Sequence, residues 1–407
     1  MGSTSGYRSG RRLADAGSGR LRHVDIIDDL RDAEPFWRSL LADGAVSTPY
    51  QSFDFLAAWH REVGSRRGVT PFVVVGFDSS DRPVFLLPFG MRRMGPLRQV
   101  CFLGGKHANF NFGLWDPTVT ASMCAADMQF VLHRITALPH RPDLLALYSQ
   151  PRAWQGLDNP LLKLPHRQAA SNGACLVVDA PGQEVIERGV SAATRGRLRT
   201  KKRKLQKLPD YRYFQATQPA EVDRLLDRFI ALKTAHMAAQ GLPNVFAEEG
   251  VEAFLRSACH QNLADGCPAI ELHGLEGDGE LLALLGVLTD DRCMSVMVNT
   301  YTSSEHSRHS PGLILILQMI QVCADRGFAS FDLGAGDAQY KTWFCKQPVT
   351  LFDSFVPLTP LGRLLAIGLD TANILKREIK NTPALWNAFQ SLRRTFGNSI
   401  QVPGHHS

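Results

Sequence analysis

Apolar positions along the chain alternate between two rhythms. Helix-like spacing, with an apolar residue every third or fourth position, runs over 28–41, 52–63 and 121–138. Between these lie short β-rich runs at 71–77, 84–89, 99–103 and 143–148. The polar stretch Asp78-Ser79-Ser80-Asp81-Arg82-Pro83 separates the first two runs and predicts a hairpin. The same order returns further on, with helices over 183–207, 220–240 and 248–262. Strands then follow at 269–273, 280–288 and 293–298, before a helix at 312–323 and a strand at 330–333. Both hairpins begin at a proline and have arms of similar length, which points to a duplicated α/β fold. The alternative is two unrelated α/β units that each contain a hairpin.

The expected organisation is a disordered tail over 1–20, a first unit over 21–172, a second over 173–358 and a helical tail over 359–407. Residues 1–20 have almost nothing apolar to bury. In the tail, Lys376, Arg377, Lys380, Arg393 and Arg394 alternate with Leu, Ile, Trp386 and Phe389. Such a segment either packs back on the second unit or lies on a membrane surface.

Composition narrows the class. The 407 residues are 44% hydrophobic and 21% charged, ordinary values for a globular protein of two domains. No apolar run approaches the roughly 18 residues of a membrane span, and no secretory leader is visible. The eight cysteines form no C-x-x-C pair, so neither a disulfide framework nor a zinc site is expected. These features suggest a cytoplasmic protein, with association to the inner membrane left open. Net charge is +6, yet eight basic residues and no acid lie between Arg195 and Lys207, leaving −2 for the rest. That block is a solvated helix face, a phosphate-facing helix or a contact for RNA or anionic lipid. It has no interleaved aromatics, which argues against a dedicated nucleic-acid protein.

Two segments carry the candidate chemistry. In the first, a strand runs into a polar loop, and Arg308-His309-Ser310-Pro311-Gly312-Leu313 opens the next helix. A helix starting at Pro and Gly leaves backbone N–H groups free, a seat for phosphates as well as an ordinary start motif. In the second, a short strand ends in Asp332-Leu333-Gly334-Ala335-Gly336-Asp337, followed by Tyr340 and Lys341. Asp337 lies three and four positions before Tyr340 and Lys341, so all three share a helix face. A carboxylate at a strand end can take a proton from an attacking amine or hydroxyl, and a phenol can protonate a departing thiolate. The bland readings are an N-cap for Asp337, a packed aromatic for Tyr340 and an ion pair or surface lysine for Lys341. A third segment, Gly104 to Asn111, offers His107, Asn109 and Asn111 to sugar hydroxyls, or is simply an irregular loop.

Ser310-Pro311-Gly312-Leu313 together with Phe331-Asp332-Leu333-Gly334-x-Gly336-Asp337-x-x-Tyr340-Lys341 resembles the CelD/BcsL-type GNAT acyltransferases, which are related to the Fem aminoacyl ligases. The basic run from Arg195 through Lys204 is similar to an Arg-rich helix of that family. The likeness is good over about 185–345 and weak over the first unit. It implies two tandem GNAT-like domains, each a mixed, mostly antiparallel sheet flanked by helices, with the better formed donor groove in the second. The usual phosphate loop, Gln/Arg-x-x-Gly-x-Gly/Ala, is absent, and His309-Ser310-Pro311-Gly312 stands in for it with one glycine.

By this resemblance the chain is an acetyltransferase, moving an acetyl or similar group from acyl-CoA, without a metal. The acceptor would be an amine or hydroxyl of a sugar, sugar-nucleotide or lipid-linked precursor in exopolysaccharide or cell-envelope biosynthesis, cellulose included. Asp332, Asp337, Tyr340 and Lys341 would be catalytic, Arg308 to Leu313 would hold the donor, and His107, Asn109, Asn111, Arg199 and Arg203 would meet the acceptor. The alternatives are a ligase that draws on aminoacyl-tRNA, in which case tRNA is a partner, and a non-catalytic partner of a polysaccharide synthase.

Overall fold

The computed structural model describes residues 21–239, 241–336 and 338–382. The expected tail over 1–20, Asp337, and the part of the C-terminal tail beyond 382 lie outside the described residues.

The first unit opens with β1 (His23–Ile27) and α1 (Leu30–Ala42). Asp29 caps α1 by accepting from the Arg31 amide, and Leu30, Ala33, Trp37 and Leu40 form its buried stripe. Helix α2 (Phe53–Trp59) begins at Ser52, whose hydroxyl accepts from the Phe55 amide. Then come β2 (Thr70–Phe77), β3 (Pro83–Met94), β4 (Leu97–Phe102), the two-residue β5 (Leu114–Trp115), the single-turn α3 (Pro117–Thr120), α4 (Ala125–Thr136) and β6 (Leu144–Pro151). Small strands β7 (Ala153–Trp154), β8 (Leu157–Asp158) and β9 (Arg167–Gln168) lead to the second unit.

That unit contains β10 (Gly173–Val177), α5 (Gly182–Gly189), α6 (Ala192–Leu205), β11 (Arg212–Gln215), α7 (Pro219–Ala239) and α8 (Val251–His260). It continues through β12 (Glu271–Gly277), β13 (Glu280–Thr289), β14 (Cys293–Tyr301), α9 (Pro311–Asp325), β15 (Ser330–Ala335), α10 (Lys341–Phe344) and β16 (Pro348–Val349). The helix expected over 183–207 is two helices. Ser191 breaks it in extended conformation and caps α6 through its hydroxyl.

With β17 (Leu351–Pro357), two sheets result, ordered β1-β2-β3-β4-β6-β17-β9 and β11-β12-β13-β14-β15-β10-β16. Their pattern is shared. Each is antiparallel except for one parallel pair joined by a crossover helix: β4 and β6 through α4, β14 and β15 through α9. The duplication expected from the hairpins is thus present in the topology.

One departure concerns the boundary. Strand β17 (Leu351–Pro357) does not extend the second sheet but crosses to the first, pairing with β6 and β9. The expected second unit over 173–358 therefore returns its last strand to the first. Helix α11 (Pro360–Asn381) follows and packs on β17 and β6, not on the second unit as expected. One apolar cluster runs through both units, beside a second confined to the second unit and a small third under α11. Phe55 of α2 meets Phe254 of α8 edge to face at 5.3 Å, and both are fully buried. Truncating a buried phenylalanine at such a junction costs about 3–5 kcal/mol.

Candidate functional site

The parallel pair of the second sheet stays together for three residues only. Cys293 faces Ser330, Met294 faces Phe331 and Ser295 faces Asp332. Beyond that row β14 continues to Tyr301 beside β13 and β15 to Ala335 beside β10, without pairing to each other, so the strands part. A register shift against β13 falls at the same place: Val287 faces Val296 while Gly286 faces Val298, leaving Met297 as the extra residue of a bulge. Backbone groups that a continuous sheet would pair must find other partners here.

Asp332 sits at the fork. It is wholly buried, and its Oδ1 accepts from the Gly334 amide at 2.6 Å, a group freed by the parting of the strands. Its Oδ2 is buried with no hydrogen-bond partner among the described residues. Burial pushes the Asp332 carboxyl up to about 7, with the Gly334 amide, Ser295 and Lys341 pulling the other way. On the opposite arm, the freed carbonyl of Val296 accepts from the Tyr50 hydroxyl at 2.9 Å and from the Asn109 side-chain amide at 3.2 Å. Asn109 also donates to Tyr50 at 2.8 Å. The first unit therefore supplies two side chains to the fork of the second.

Tyr340 precedes α10 and is largely buried. Burial lifts its phenol to about 12, with the Asn299 side chain, on the arm of β14 that has left β15, pulling the other way. Lys341 is buried and donates to the carbonyls of Gly334 at 3.2 Å and Ala335 at 2.7 Å, tying the end of β15 to α10. Asp332, Tyr340 and Lys341 thus gather around one split. Asp337 lies outside the described residues.

The donor candidates line the start of α9. Ser310 occupies the left-handed region at φ 52° and makes no side-chain cap. Its hydroxyl instead accepts from Lys201 Nζ of α6 at 2.7 Å. Pro311 is buried, Gly312 and Leu313 are half-buried, and Arg308 and His309 flank the turn. The basic helix therefore abuts the α9 start, through Lys201. Arg199 and Arg203 are exposed and sit two positions either side of Lys201, so the helical twist turns them to the opposite face. Their expected place beside the acceptor is not supported by this geometry.

The loop after β4 divides in its roles. In the first sheet β4 and β6 also part after two paired rows. There Asn111 fills the space, its amide bonding to Ser149 O and its side chain to Tyr148 O. His107 is buried, accepts from the Trp59 indole at 3.0 Å and packs on Phe254. Burial, aided by Lys106 and Arg67, holds it down to about 3, so it stays neutral. These two are structural plugs and not acceptor groups; Asn109 alone of the three reaches the second split. Tyr50, Ser295, Asn299 and Lys201 were not singled out from sequence, since nothing local marks a residue that acts 246 or 109 positions away.

Residues 192–342 match the family model of the acetyltransferase (GNAT) domain. The second unit carries a GNAT acetyltransferase domain. The enzyme is accordingly a GNAT-type N-acyltransferase, and domains of this type generally draw on acyl-CoA. FemX is similar in structure at 10% identity, over 84% of this chain and 100% of FemX, with a TM-score of 0.58. A conserved protein of unknown function from Bacteroides thetaiotaomicron VPI-5482 aligns at 12% identity over 82% of this chain and 98% of its own, with a TM-score of 0.50. Likeness at such identities speaks to fold, and the fold is two tandem GNAT-like units. No curated protein sequence matches the chain.

The GNAT domain offers what an acyl-CoA needs. Unpaired strand edges can meet the amides of an extended pantetheine arm, and the open α9 start beside Lys201 suits a pyrophosphate. At Gly312 a Cβ would lie 3.5 Å from the Tyr301 ring, in ordinary contact, so Tyr301 bounds the space above the helix start.

Proposed function

We propose that the chain transfers an acetyl or similar acyl group from acyl-CoA to an amine or hydroxyl of a sugar precursor in exopolysaccharide or cell-envelope biosynthesis. The observation that carries the reading is the split between β14 and β15, with Asp332 at its fork and Tyr340 across from Asn299. The sugar acceptor rests on the CelD/BcsL-type motif from Phe331 to Lys341.

In this reading the α9 start and Lys201 hold the pyrophosphate, and the acyl arm enters the split. The acceptor attacks the thioester carbon, a C–N or C–O bond forms, and the C–S bond breaks. Asp332, poised near neutrality, takes the acceptor's proton. Tyr340 meets the departing sulfur. Its phenol holds its proton up to about 12, well above an ordinary thiol near 8.5, so full transfer is uphill and a hydrogen bond to the developing thiolate is its contribution. Lys341 keeps the Gly334–Ala335 turn in place.

Calorimetric titration with acetyl-CoA and, in parallel, free CoA tests the donor. Saturable binding that weakens in Gly312→Glu is expected; no binding to either overturns the reading. Thiol release in the presence of amino sugars then tests the acceptor class.

A second reading, an aminoacyl-tRNA donor, draws on one observation: α6 carries no acid, and it exposes Arg197, Arg199, Arg203 and Lys204 while Lys201 meets the α9 start. Charged tRNA replacing CoA in the same titration, with steep salt dependence, distinguishes it.

A further inference from the structure

Helix α11 is amphipathic twice over. One side docks on the first sheet. Gly362 presses so closely on the Asp143 backbone that a Cβ would collide with it, Ala366 is buried, and Asn373 donates to Asp353 Oδ2 at 2.8 Å. Thr359 fixes the helix start by donating to Asp143 at 2.7 Å, and Asp370 pairs with Arg167 at 2.9 Å. This side is closed.

The other side is apolar and open. Leu364, Leu375 and Ile367 are 70%, 60% and 59% exposed, and Leu361 and Ile374 about 40%. At 100° per residue these five fall within one continuous sector opposite Gly362, Ala366 and Asn373, with Thr371 and Glu378 its polar members. Among the described residues, five of the eight exposed large hydrophobics lie on this one helix. The flanks are basic. Arg363 borders the sector on one edge, while Arg377 and Lys376, both half-buried, lie about 60° back from its two edges; Arg167 stands beside Asn373 and Arg377 in a small surface pocket. Against these four bases stand Asp370, paired with Arg167 at 2.9 Å, Glu378, 4.0 Å from Arg377, and the buried Asp353, on which Lys376 acts.

We propose that α11 lies on an anionic lipid surface, its aliphatic sector in the headgroup–acyl boundary and its flanking bases on lipid phosphates. An aliphatic face flanked by arginine and lysine matches that interface in both polarity and charge, because long basic side chains can bury their stems and keep their heads at the phosphates. A second protein chain would need no such basic flanks. The helix lies on the bilayer and does not cross it: no described helix is long and apolar enough to span one. The inference stands apart from the acyltransfer reading, since α11 belongs to the first sheet and shares no residue with the split.

Sedimentation of the full chain with vesicles tests it. Vesicles of equal phosphatidylglycerol and phosphatidylcholine are expected to carry the protein down, and vesicles of phosphatidylcholine alone to leave it in solution. The triple variant Leu364→Glu, Ile367→Glu, Leu375→Glu changes exposed positions and is expected to keep its melting temperature and thioester-cleaving activity while losing the vesicles. Arg363→Gln with Arg377→Gln is expected to weaken binding about fivefold per charge removed. No sedimentation with anionic vesicles overturns the proposal. So does equal binding to both vesicle types. A dimer that the triple variant dissociates, with no vesicle binding by the parent, assigns the face to a second copy and also overturns it.

Discussion

The hydroxyl of Tyr50 donates to the carbonyl of Val296 at 2.9 Å, joining the first unit to the bulge of β14 across 246 positions of sequence. Both groups are buried, and Asn109 completes the triangle. Tyr50→Phe leaves Val296 with the longer Asn109 bond and Asn109 without one acceptor. A loss of about 1 kcal/mol is expected in denaturant titration. Adding Asn109→Ala should cost more than the sum of the single changes, because the Val296 carbonyl is then orphaned in the interior. Simple additivity in that cycle would show that the two side chains do not share the carbonyl.

Tyr340→Phe keeps the ring and its packing and removes the hydroxyl. If the phenol meets the departing sulfur, turnover falls by about 10² or more while acetyl-CoA affinity stays within a factor of two. Steady-state kinetics and calorimetry together decide it. Equal turnover would leave Tyr340 as a packed aromatic.

Asp332 gives a pH prediction with a definite sign. Its carboxyl is raised from 3.8 to about 7 by burial, so the folded state favours the protonated form. The stability it contributes is present in full below about pH 4 and is lost as pH rises through 7. Activity runs the other way, since a proton acceptor must be ionised: the rate should climb through about pH 7 and level above it. Asp332→Asn is expected to abolish that limb along with most of the rate. It should also flatten the part of the stability profile between pH 4 and 7 that Asp290 and Asp353, both raised to about 6 in the same way, do not account for. Comparing the two proteins' melting curves across pH isolates the Asp332 share.

Much of this arrangement was legible in the chain. The alternation of helix and strand, the repeated hairpins and the Gly-rich end of β15 follow from local periodicity and turn chemistry, which act over a few residues. Asp332, Tyr340 and Lys341 were visible because they sit close together after one buried strand. Tyr50 and Lys201 were not, because a tyrosine after a proline, or one lysine among eight bases, carries no local mark of the distant group it binds. The crossing of β17 was hidden for a related reason. Its run Leu351–Pro357 reads as a strand equally well in either sheet, and pairing with β6 is decided by long-range geometry. His107 and Asn111 misled in the opposite sense: polar residues after a Gly-Gly turn suggest a pocket, yet here they plug one.

Gly334 offers a steric test of the fork. It lies at φ 79°, and a Cβ there would stand 2.6 Å from Asn109 Nδ2. Gly334→Ala therefore combines backbone strain with a clash, together about 1–3 kcal/mol. Pairing it with Asn109→Ala removes the clash and keeps the strain, so part of the loss should return. Denaturant midpoints of the two variants measure the recovered part; no recovery would mean that Asn109 and β15 do not touch in solution.

The two faces of α6 separate the donor readings. Lys201 bonds Ser310 at the α9 start, whereas Arg199 and Arg203 point away on the exposed side. If acyl-CoA is the donor, Lys201→Ala removes a cation beside the pyrophosphate and should weaken acetyl-CoA binding about five- to tenfold, with a shallower dependence on salt. Arg199→Ala with Arg203→Ala should leave that affinity within a factor of two, because neither reaches the helix start. A long polyanion such as charged tRNA would reverse the order, since it can follow the exposed side and feel every base there, and the double change would then reduce the salt slope by about two. Titrating both variants with both donors at two salt concentrations distinguishes the cases. The CoA reading fails if the Arg199 and Arg203 pair, and not Lys201, governs acetyl-CoA affinity.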